Sequence, residues 1–294
     1  MTSIAPPGFT GALIDRSDAI RQSPERLADA MGSLSARMLR LDGIDPEEDG
    51  QGCLVWGSLA EAAPDAELIF LGFEGGKPRF AAMPPAGTAV DARSRTCWRV
   101  LSFLAPDQVA LYGAARSLID WHARHRFCAN CGSPTHMAKG GWQRDCPSCS
   151  AQHFPRTDPV VIMLAEHGDS VLVGRQHGWP DGRFSALAGF LEPGESLEEA
   201  VARELFEEAG IRVDSVRYVA SQPWPFPSSL MVACIGVARS TELTLDETEI
   251  EAAMWVDRTG VAAAMAGNPD APFIAPPPFA IAHSLFSHWL AEGQ

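Results

Sequence analysis

The sequence predicts a mixed α/β protein in which a small α+β domain and a cysteine ribbon precede an α/β or α+β sandwich. Three observations favour this architecture. The chain is 294 residues long, which is enough for two or three domains at roughly 100 to 200 residues each. Four cysteines are paired near its middle, and β-branched runs alternate with helical patterns after them. We therefore divide the chain into domains at 1–126, 127–155 and 156–294.

Composition excludes some classes of protein. Lys and Arg number 23 against 37 Asp and Glu, so the net charge is −14, and a broad basic face for duplex DNA is not expected. The first 21 residues lack the pattern of a signal peptide, and no run reaches the ~18 apolar residues of a membrane span. We expect a cytoplasmic protein that does not enter membranes. In a reducing compartment its seven cysteines are thiols or metal ligands.

The N-terminal part contains signals for short elements and none for chemistry. Cys53–Leu59 predicts a short buried strand, and Glu67–Phe73 and Lys77–Met83 predict a hairpin around a Gly-Gly turn. Asp107–Arg126 follows a proline and predicts a helix. No cluster of catalytic residue types is present, so we expect a scaffold or a dimerisation domain.

Four cysteines form the strongest metal signal. Cys128 and Cys131 are separated by two residues, as are Cys146 and Cys149, and this spacing lets four thiolates surround one Zn²⁺. Because four thiolates leave no position for water, the zinc would be structural. Two disulfides, or a ribbon that has lost its metal, are the alternatives. The other three cysteines, at 53, 97 and 234, are expected to be small buried side chains.

The ribbon region also has basic and aromatic residues that suggest a second class of function, the binding of single-stranded nucleic acid. The alternative is a solvated surface around a structural ribbon. The residues are Arg124, Arg126, Lys139, Arg144 and Arg156 with Phe127, Trp142 and Phe154.

The third part alternates strands with helices. Its predicted strands are Val160–Leu164, Val171–Gly174, Val213–Ala220 and Leu230–Ala238, and Phe279–Leu290 is the predicted last helix.

A further helix follows Ser196, which is a candidate N-cap with Glu199 three residues later, and it should stop at Gly210. Glu204 and Glu208 are four residues apart, so they share one helix face, with Glu207 nearby. Like charges at this spacing favour a site for Mg²⁺ or Mn²⁺. A solvated acidic face is the alternative.

The string around this helix resembles the signature of the Nudix hydrolases, G-x5-E-x7-R-E-U-x-E-E-x-G-U, in which U is aliphatic. The matching residues are Gly189, Glu195, Arg203, Glu204, Leu205, Glu207, Glu208, Gly210 and Ile211. The resemblance implies an α/β/α sandwich that hydrolyses a nucleoside diphosphate linked to another moiety. It implies metal ligands at Glu204 and Glu208, a third acidic residue at Glu207, and pairing of Arg203 with Glu195.

A proline-rich segment follows, in which alternating prolines fix an extended backbone. By itself it is equally consistent with a stiffened loop that packs two aromatic side chains. However, SQPWPFPSS resembles the array of the NADH pyrophosphatase branch of the family, which also has a zinc ribbon before its hydrolase domain. The implied substrate-binding residues here are Gln222, Trp224, Phe226 and Ser229.

The same resemblance implies a homodimer in which aromatic side chains stack on a base of the dinucleotide. Phe154 and Phe190 match those positions, and Glu249 matches a further metal-binding glutamate. Ala280 and Ile281 lie in a segment whose backbone approaches the substrate in the family.

The sequence thus favours divalent-metal-dependent hydrolysis of the pyrophosphate of NAD(H) and related dinucleotides, giving AMP and nicotinamide mononucleotide. Removal of the NAD cap from RNA 5′ ends in the same site is an extension. A catalytically silent dinucleotide sensor and a Nudix enzyme of broad range are the alternatives. The intact set Glu204, Glu207 and Glu208 disfavours the first, and the proline array disfavours the second.

Overall fold

The computed structural model describes residues 6–85, 87–88 and 94–293, and the chain divides into two compact units. The N-terminal unit consists of Phe9–Thr157 together with Trp224–Ser228. The C-terminal unit consists of Met1–Gly8, Asp158–Pro223 and Ser229–Gln294. The ribbon cysteines thus belong to the N-terminal unit, as does the middle of the proline-rich segment. The three-domain division of the sequence stays a prediction.

The N-terminal unit contains four helices, nine strands and two 3-10 turns within its described residues. The helices are α1 (Asp18–Arg21), α2 (Pro24–Gly32), α3 (Arg95–Leu101) and α4 (Pro106–Arg124), and the 3-10 turns are Leu59–Glu61 and Lys139–Gly141. The strands are β1 (Arg37–Leu39), β2 (Leu41–Asp42), β3 (Asp45–Pro46), β4 (Trp56–Gly57), β5 (Leu68–Glu74), β6 (Lys77–Ala82), β7 (His136–Ala138), β8 (Gln143–Asp145) and β9 (Gln152–His153).

Its main sheet has the order β4-β1-β6-β5. The predicted hairpin is confirmed as β5 and β6, with Glu74 opposite Lys77. Gly75 and Gly76 connect them with positive φ angles of 55° and 76°, the conformation that a two-residue hairpin turn requires. The ribbon forms its own antiparallel sheet, in the order β7-β8-β9.

The strand predicted at Cys53–Leu59 is confirmed in its middle. Leu54 forms an antiparallel bridge with Glu48, and Trp56–Gly57 pair in β4, whereas Cys53 is exposed. The Asp49 carboxylate accepts hydrogen bonds from the backbone N–H groups of Gln51 and Cys53, so the chain turns there before the strand begins.

Helix α4 is confirmed and joins the sheet to the ribbon. Pro106 occupies its first turn, and its inner face is buried. Cys97 and Cys234, two of the three cysteines outside the ribbon, are buried as expected. His122, with no exposed surface, donates from Nε2 to the carbonyl of Gly141 (2.8 Å) and accepts at Nδ1 from the Arg144 guanidinium (2.9 Å). The indole of Trp142 donates to the carbonyl of Phe70 in β5. The ribbon is therefore anchored both to α4 and to β5.

The C-terminal unit contains one mixed sheet and three helices among its described residues. The strands are β10 (Asp158–His167), β11 (Ser170–Gln176), β12 (Leu187–Phe190), β13 (Val213–Trp224), β14 (Ser229–Ala238) and β15 (Ile250–Asp257). The helices are α5 (Leu197–Ala209), α6 (Arg258–Met265) and α7 (Ile281–Glu292).

The sheet order is β13-β14-β10-β11-β15, with β12 paired to β10. Successive side chains of β10 point to opposite faces. Val161 and Met163 belong to the core that includes α5, and Ile162 and Leu164 belong to the core that includes α6 and α7. The unit is an α/β/α sandwich, which confirms the predicted fold class.

The predicted strands of this unit are confirmed within β10, β11, β13 and β14, and the last helix as α7. Strands β12 and β15 and helix α6 were not predicted from the sequence. Among the described residues, none of the helices combines the length and apolar character needed to cross a bilayer.

The buried imidazole generates a prediction about pH. Burial lowers the pKa of His122 from 6.5 to about 4, because the imidazolium would lose its hydration; the Arg144 charge adds to this shift and the hydrogen bond to Gly141 opposes it. The unfolded chain therefore binds more protons between these values, and the folded protein should lose stability as the pH falls from 6.5 towards 4. The shift corresponds to about 3 kcal/mol at most.

We expect His122→Gln to remove this part of the pH dependence, since the amide can occupy the same space without titrating. Urea unfolding of both proteins from pH 7.5 to pH 4.5 measures the difference between them. Protonation of the ribbon cysteines affects both proteins equally and does not change the difference between them. If the free energies of unfolding of the two proteins fall in parallel as the pH is lowered, the prediction is wrong.

Candidate active site and zinc ribbon

Helix α5 begins and ends at the caps that the sequence predicted. The Ser196 hydroxyl accepts from the N–H of Glu199, and the Glu199 carboxylate accepts from the N–H of Ser196, at 2.7 Å. Gly210 ends the helix with a φ of 73°. Between these caps the buried face of α5 carries Glu204 and Glu208.

Arg203 is the centre of an ionic network. Its Nε and Nη2 donate to the Glu195 carboxylate at 2.5 and 2.9 Å, and Nη1 donates to Glu204 and Glu207 at 2.8 and 2.9 Å. Nη2 also donates to the backbone carbonyl of Phe190 at 2.9 Å. The hydrogen bonds from Arg203 and from the N–H of Glu192 lower the pKa of Glu195 to about 2. Glu195 is thus an ionised partner that orients Arg203.

Glu204 and Glu208 are only 8% and 6% exposed, which is unusual for carboxylates. Burial, followed by the charges of Glu204 and Glu249, raises the pKa of Glu208 to about 8. Burial raises the pKa of Glu204 as well, despite its hydrogen bond from Arg203. Within the described residues Glu208 has neither a cation nor a hydrogen-bond donor at its carboxylate. Carboxylates held this way suit divalent cations, which supply the missing positive charge.

Gly189, the first residue of the Nudix-like string, lies in β12 against α5. A Cβ atom there would overlap the Glu204 carboxyl group, so a larger residue would displace this carboxylate from its hydrogen bond with Arg203. The closeness of β12 is what buries this carboxylate.

Glu249 lies just before β15 and is exposed. Its charge contributes to the raised pKa values of Glu204 and Glu208, so the three carboxylates share one region. Their oxygens do not form a group within 4.8 Å of one another. Cations here would therefore need water or phosphate oxygens to complete their coordination.

Gln222 holds the proline-rich segment to another predicted segment. Its side chain has no exposed surface, and Nε2 donates to the carbonyls of Gly8 and Phe279, both at 2.8 Å. Oε1 accepts from the N–H of Ile281 at 2.9 Å. The structure thus brings Gln222 to the segment around Ala280, the N-cap of α7, and the Gln222 amide is engaged entirely with backbone atoms.

The aromatic residues of the segment belong to the N-terminal unit. The rings of Trp224 and Phe226 are 5.3 Å apart, and both contact Phe9 and Trp98. Sequence reasoning missed Phe9 and Trp98, because no local pattern marks their long-range contacts.

The remaining predicted substrate-binding residues differ in exposure. Ser229, at the start of β14, is 9% exposed. Phe154 and Phe190 are each 61% exposed, so both have ring surface free to stack.

The four ribbon cysteines come together as the sequence predicted. Among the described residues they are the only group of three or more His, Cys, Asp and Glu side chains whose ligand atoms all lie within 4.8 Å of one another. The sulfurs of Cys128 and Cys149 are 3.6 Å apart, and those of Cys131 and Cys146 are 3.5 Å apart. Tetrahedral zinc with bonds of about 2.3 Å separates its sulfurs by about 3.8 Å, so the arrangement fits zinc. Hydrogen bonds from Ser133 lower the pKa of Cys131 to about 6, which favours the thiolate.

Some of the residues proposed for single-stranded nucleic acid are not available. Arg144 is 5% exposed and donates to Thr135 as well as to His122, so its assignment to a binding surface is wrong. Arg124 is paired with Asp120 at 2.9 Å. Phe127 and Phe154 remain exposed.

Two protein families match the chain in adjacent stretches. The NADH pyrophosphatase zinc ribbon domain matches residues 123–154, and the NUDIX domain matches residues 154–275. These stretches contain the four cysteines and the α5 carboxylates.

Curated relatives extend the match to most of the chain. The human NAD-capped RNA hydrolase NUDT12 is 46% identical over 274 residues, which cover 86% of this chain and 54% of the relative. The NAD-capped RNA hydrolase NudC of Mycobacterium bovis is 37% identical over 291 residues, covering 94% of this chain and 92% of the relative. The chain spans about half the length of the human relative and nearly all of the mycobacterial one. The chain therefore belongs to the Nudix family, in the branch whose Nudix domain follows an NADH pyrophosphatase zinc ribbon.

Proposed function

We propose that the protein hydrolyses the pyrophosphate bond of NAD(H), giving AMP and nicotinamide mononucleotide. The observation that carries this proposal is the pair of buried carboxylates, Glu204 and Glu208, beside the Arg203 network. The relatives support it, since both are NAD-capped RNA hydrolases by name.

Each side chain of the network has a task in this proposal. Glu195 fixes Arg203, and Arg203 fixes Glu204 and the exposed Glu207. Glu204, Glu208 and Glu249 would hold the divalent cations. Such cations neutralise the charge of the diphosphate and polarise the water that attacks phosphorus. Glu207 or Glu208 orients that water and accepts its proton.

We propose Mg²⁺ or Mn²⁺ as the cation, because both take carboxylate and phosphate oxygens and leave positions for water. We propose Zn²⁺ for the ribbon alone. There the thiolates leave no open position, so this metal stabilises the fold.

We further propose that Trp224, Phe226, Ser229 and the backbone at Ala280 bind the dinucleotide, with Gln222 holding that backbone in place. Phe154 and Phe190 would stack on a base, and their exposure supports this. We also propose a homodimer as the active form and the reducing cytoplasm as its location, where a four-thiolate zinc site persists.

A second proposed substrate is RNA that carries NAD at its 5′ end, as the names of the relatives suggest. Cleavage of the same diphosphate would release nicotinamide mononucleotide and leave a 5′-monophosphate on the RNA. The chemistry at phosphorus is identical, so one set of carboxylates would serve both substrates.

Glu208→Gln tests the carboxylate assignment. The wild-type protein with NADH and Mg²⁺ or Mn²⁺ should give equimolar AMP and reduced nicotinamide mononucleotide, measured by chromatography and mass. The variant should lose roughly 100-fold or more of its turnover, since the amide cannot carry the negative charge that the cations require. Its melting temperature without Mg²⁺ should be unchanged or higher, because the amide replaces a buried carboxyl group whose ionisation is disfavoured there. Glu198→Gln, an exposed position on α5, is the matched control and should be fully active. Normal turnover by Glu208→Gln would refute the assignment.

NAD-capped RNA tests the second substrate. We expect kcat/KM for a short NAD-capped RNA to equal or exceed that for NADH, and Glu208→Gln should abolish both reactions because they share a site. The same RNA with a 5′-triphosphate is the control and should stay intact. A kcat/KM for capped RNA more than about tenfold below that for NADH would leave the dinucleotide as the substrate.

Removal of zinc should destabilise the protein. Elemental analysis should find one Zn²⁺ per chain, and a chelator or Cys146→Ser should lower the melting temperature by about 10 °C, because the strands of the ribbon are only two or three residues long and the metal joins its two pairs of cysteines. Cys53→Ser changes an exposed cysteine outside the cluster and should have no effect. Equal melting temperatures with and without zinc would argue against a structural metal.

A further inference from the structure

A guanidinium is buried on the inner face of α4. Arg116 is 2% exposed, and a buried charge of this kind is costly unless it is paired and hydrogen-bonded. A carboxylate oxygen of Asp45 lies 4.0 Å from its Nη1, which is a long ion pair. Nη1 also donates to the Tyr112 hydroxyl at 3.1 Å. These contacts join Arg116 to Asp45 and to Tyr112 of its own helix.

Arg116 also contacts the proline-rich segment. Its Nε donates to the backbone carbonyl of Pro225 at 3.1 Å, a bond that joins positions 109 residues apart. Its guanidinium carbon lies 4.8 Å from the centre of the Phe226 ring, within the range of a cation–π interaction. One side chain therefore holds both the backbone and the aromatic ring of this segment.

Two aromatic residues of the same unit complete the contact. Trp98 in α3 lies 4.6 Å from Phe226 and 5.8 Å from Trp224, measured between ring centres. Phe9 meets the same two rings edge-on, at 5.7 and 6.0 Å. Trp224 and Phe226 are thereby fixed by residues from three separate stretches of the N-terminal unit.

We propose that Arg116 is a positioning residue for the dinucleotide, which presents Trp224 and Phe226 in the conformation that binds it and touches neither substrate nor cations. This inference rests on the proposed function, since it requires the segment to bind NAD(H). On this proposal the N-terminal unit, through Arg116, sets the affinity of the enzyme for NAD(H).

A residue of this kind should affect KM and not kcat. When a binding segment is loosened, the substrate must order it, and this cost weakens binding by about three- to tenfold per side chain. The metal-binding carboxylates lie on other elements, so the reaction of bound substrate should proceed at the normal rate. A purely structural role would instead reduce the folded fraction, which lowers the apparent kcat and leaves KM unchanged.

Arg116→Lys is the first test, because it retains the charge near Asp45 and loses the planar group that reaches Pro225 and Phe226 together. Steady-state hydrolysis of NADH should show KM raised about three- to tenfold, with kcat within about twofold of the wild type. Arg124→Lys is the matched control: it is the same substitution on α4, at a half-exposed arginine that pairs with Asp120, and its KM should equal the wild-type value.

Trp98→Leu is the second test and covers failure of Arg116→Lys to fold. Trp98 is partly exposed, so its replacement should be tolerated, and KM should again rise. If the wild-type protein hydrolyses NADH and the folded Arg116→Lys variant has an unchanged KM, the inference is overturned and the proposed function stands. If Arg116→Lys does not fold, the KM of Trp98→Leu decides in the same way. No NADH hydrolysis by the wild-type protein and by Arg124→Lys would overturn both.

Discussion

Glu204 and Glu208 lie on the buried face of α5, where their negative charges have little water around them. A carboxylate in such a place is stable only when positive charge reaches it, and the C-terminal unit is arranged to meet this need. The apolar face of α5 packs into the core and so directs Glu204 and Glu208 inwards, β12 lies against Glu204, and Glu195 orients Arg203 towards Glu204. Arg203 pairs with Glu204 but not with Glu208. The positive charge that Glu208 still needs makes the site suited to divalent cations.

The elements that the sequence predicted correctly are those whose signals are local. Ser196, Glu199 and Gly210 act within one helix, and the Gly75-Gly76 turn acts within one hairpin. Strand β15 was missed because its residues alternate only weakly, with Ile250 and Val256 buried and much of the strand between them half-exposed. The spacing of the cysteines was sufficient to predict the ribbon, since two knuckles leave few ways to place four thiolates.

The site was less predictable wherever a role depends on distant partners. Arg144 has the chemistry of a nucleic-acid contact, yet it is buried against His122 and Thr135, which precede it by 22 and 9 residues. Gln222 looked like a substrate ligand, and its amide is engaged with backbone groups 57 or more residues away. In both cases the residue type suggested a function, and only the fold shows which atoms are already engaged.

Gly189 illustrates how such a site constrains variation. Its backbone does not need the left-handed conformation that usually selects for glycine, and a side chain there would instead displace the Glu204 carboxyl group. If substitutions of Gly189 reduce activity, the result could be mistaken for a requirement of backbone conformation. Its cause would instead be the short distance between β12 and the Glu204 carboxylate on α5.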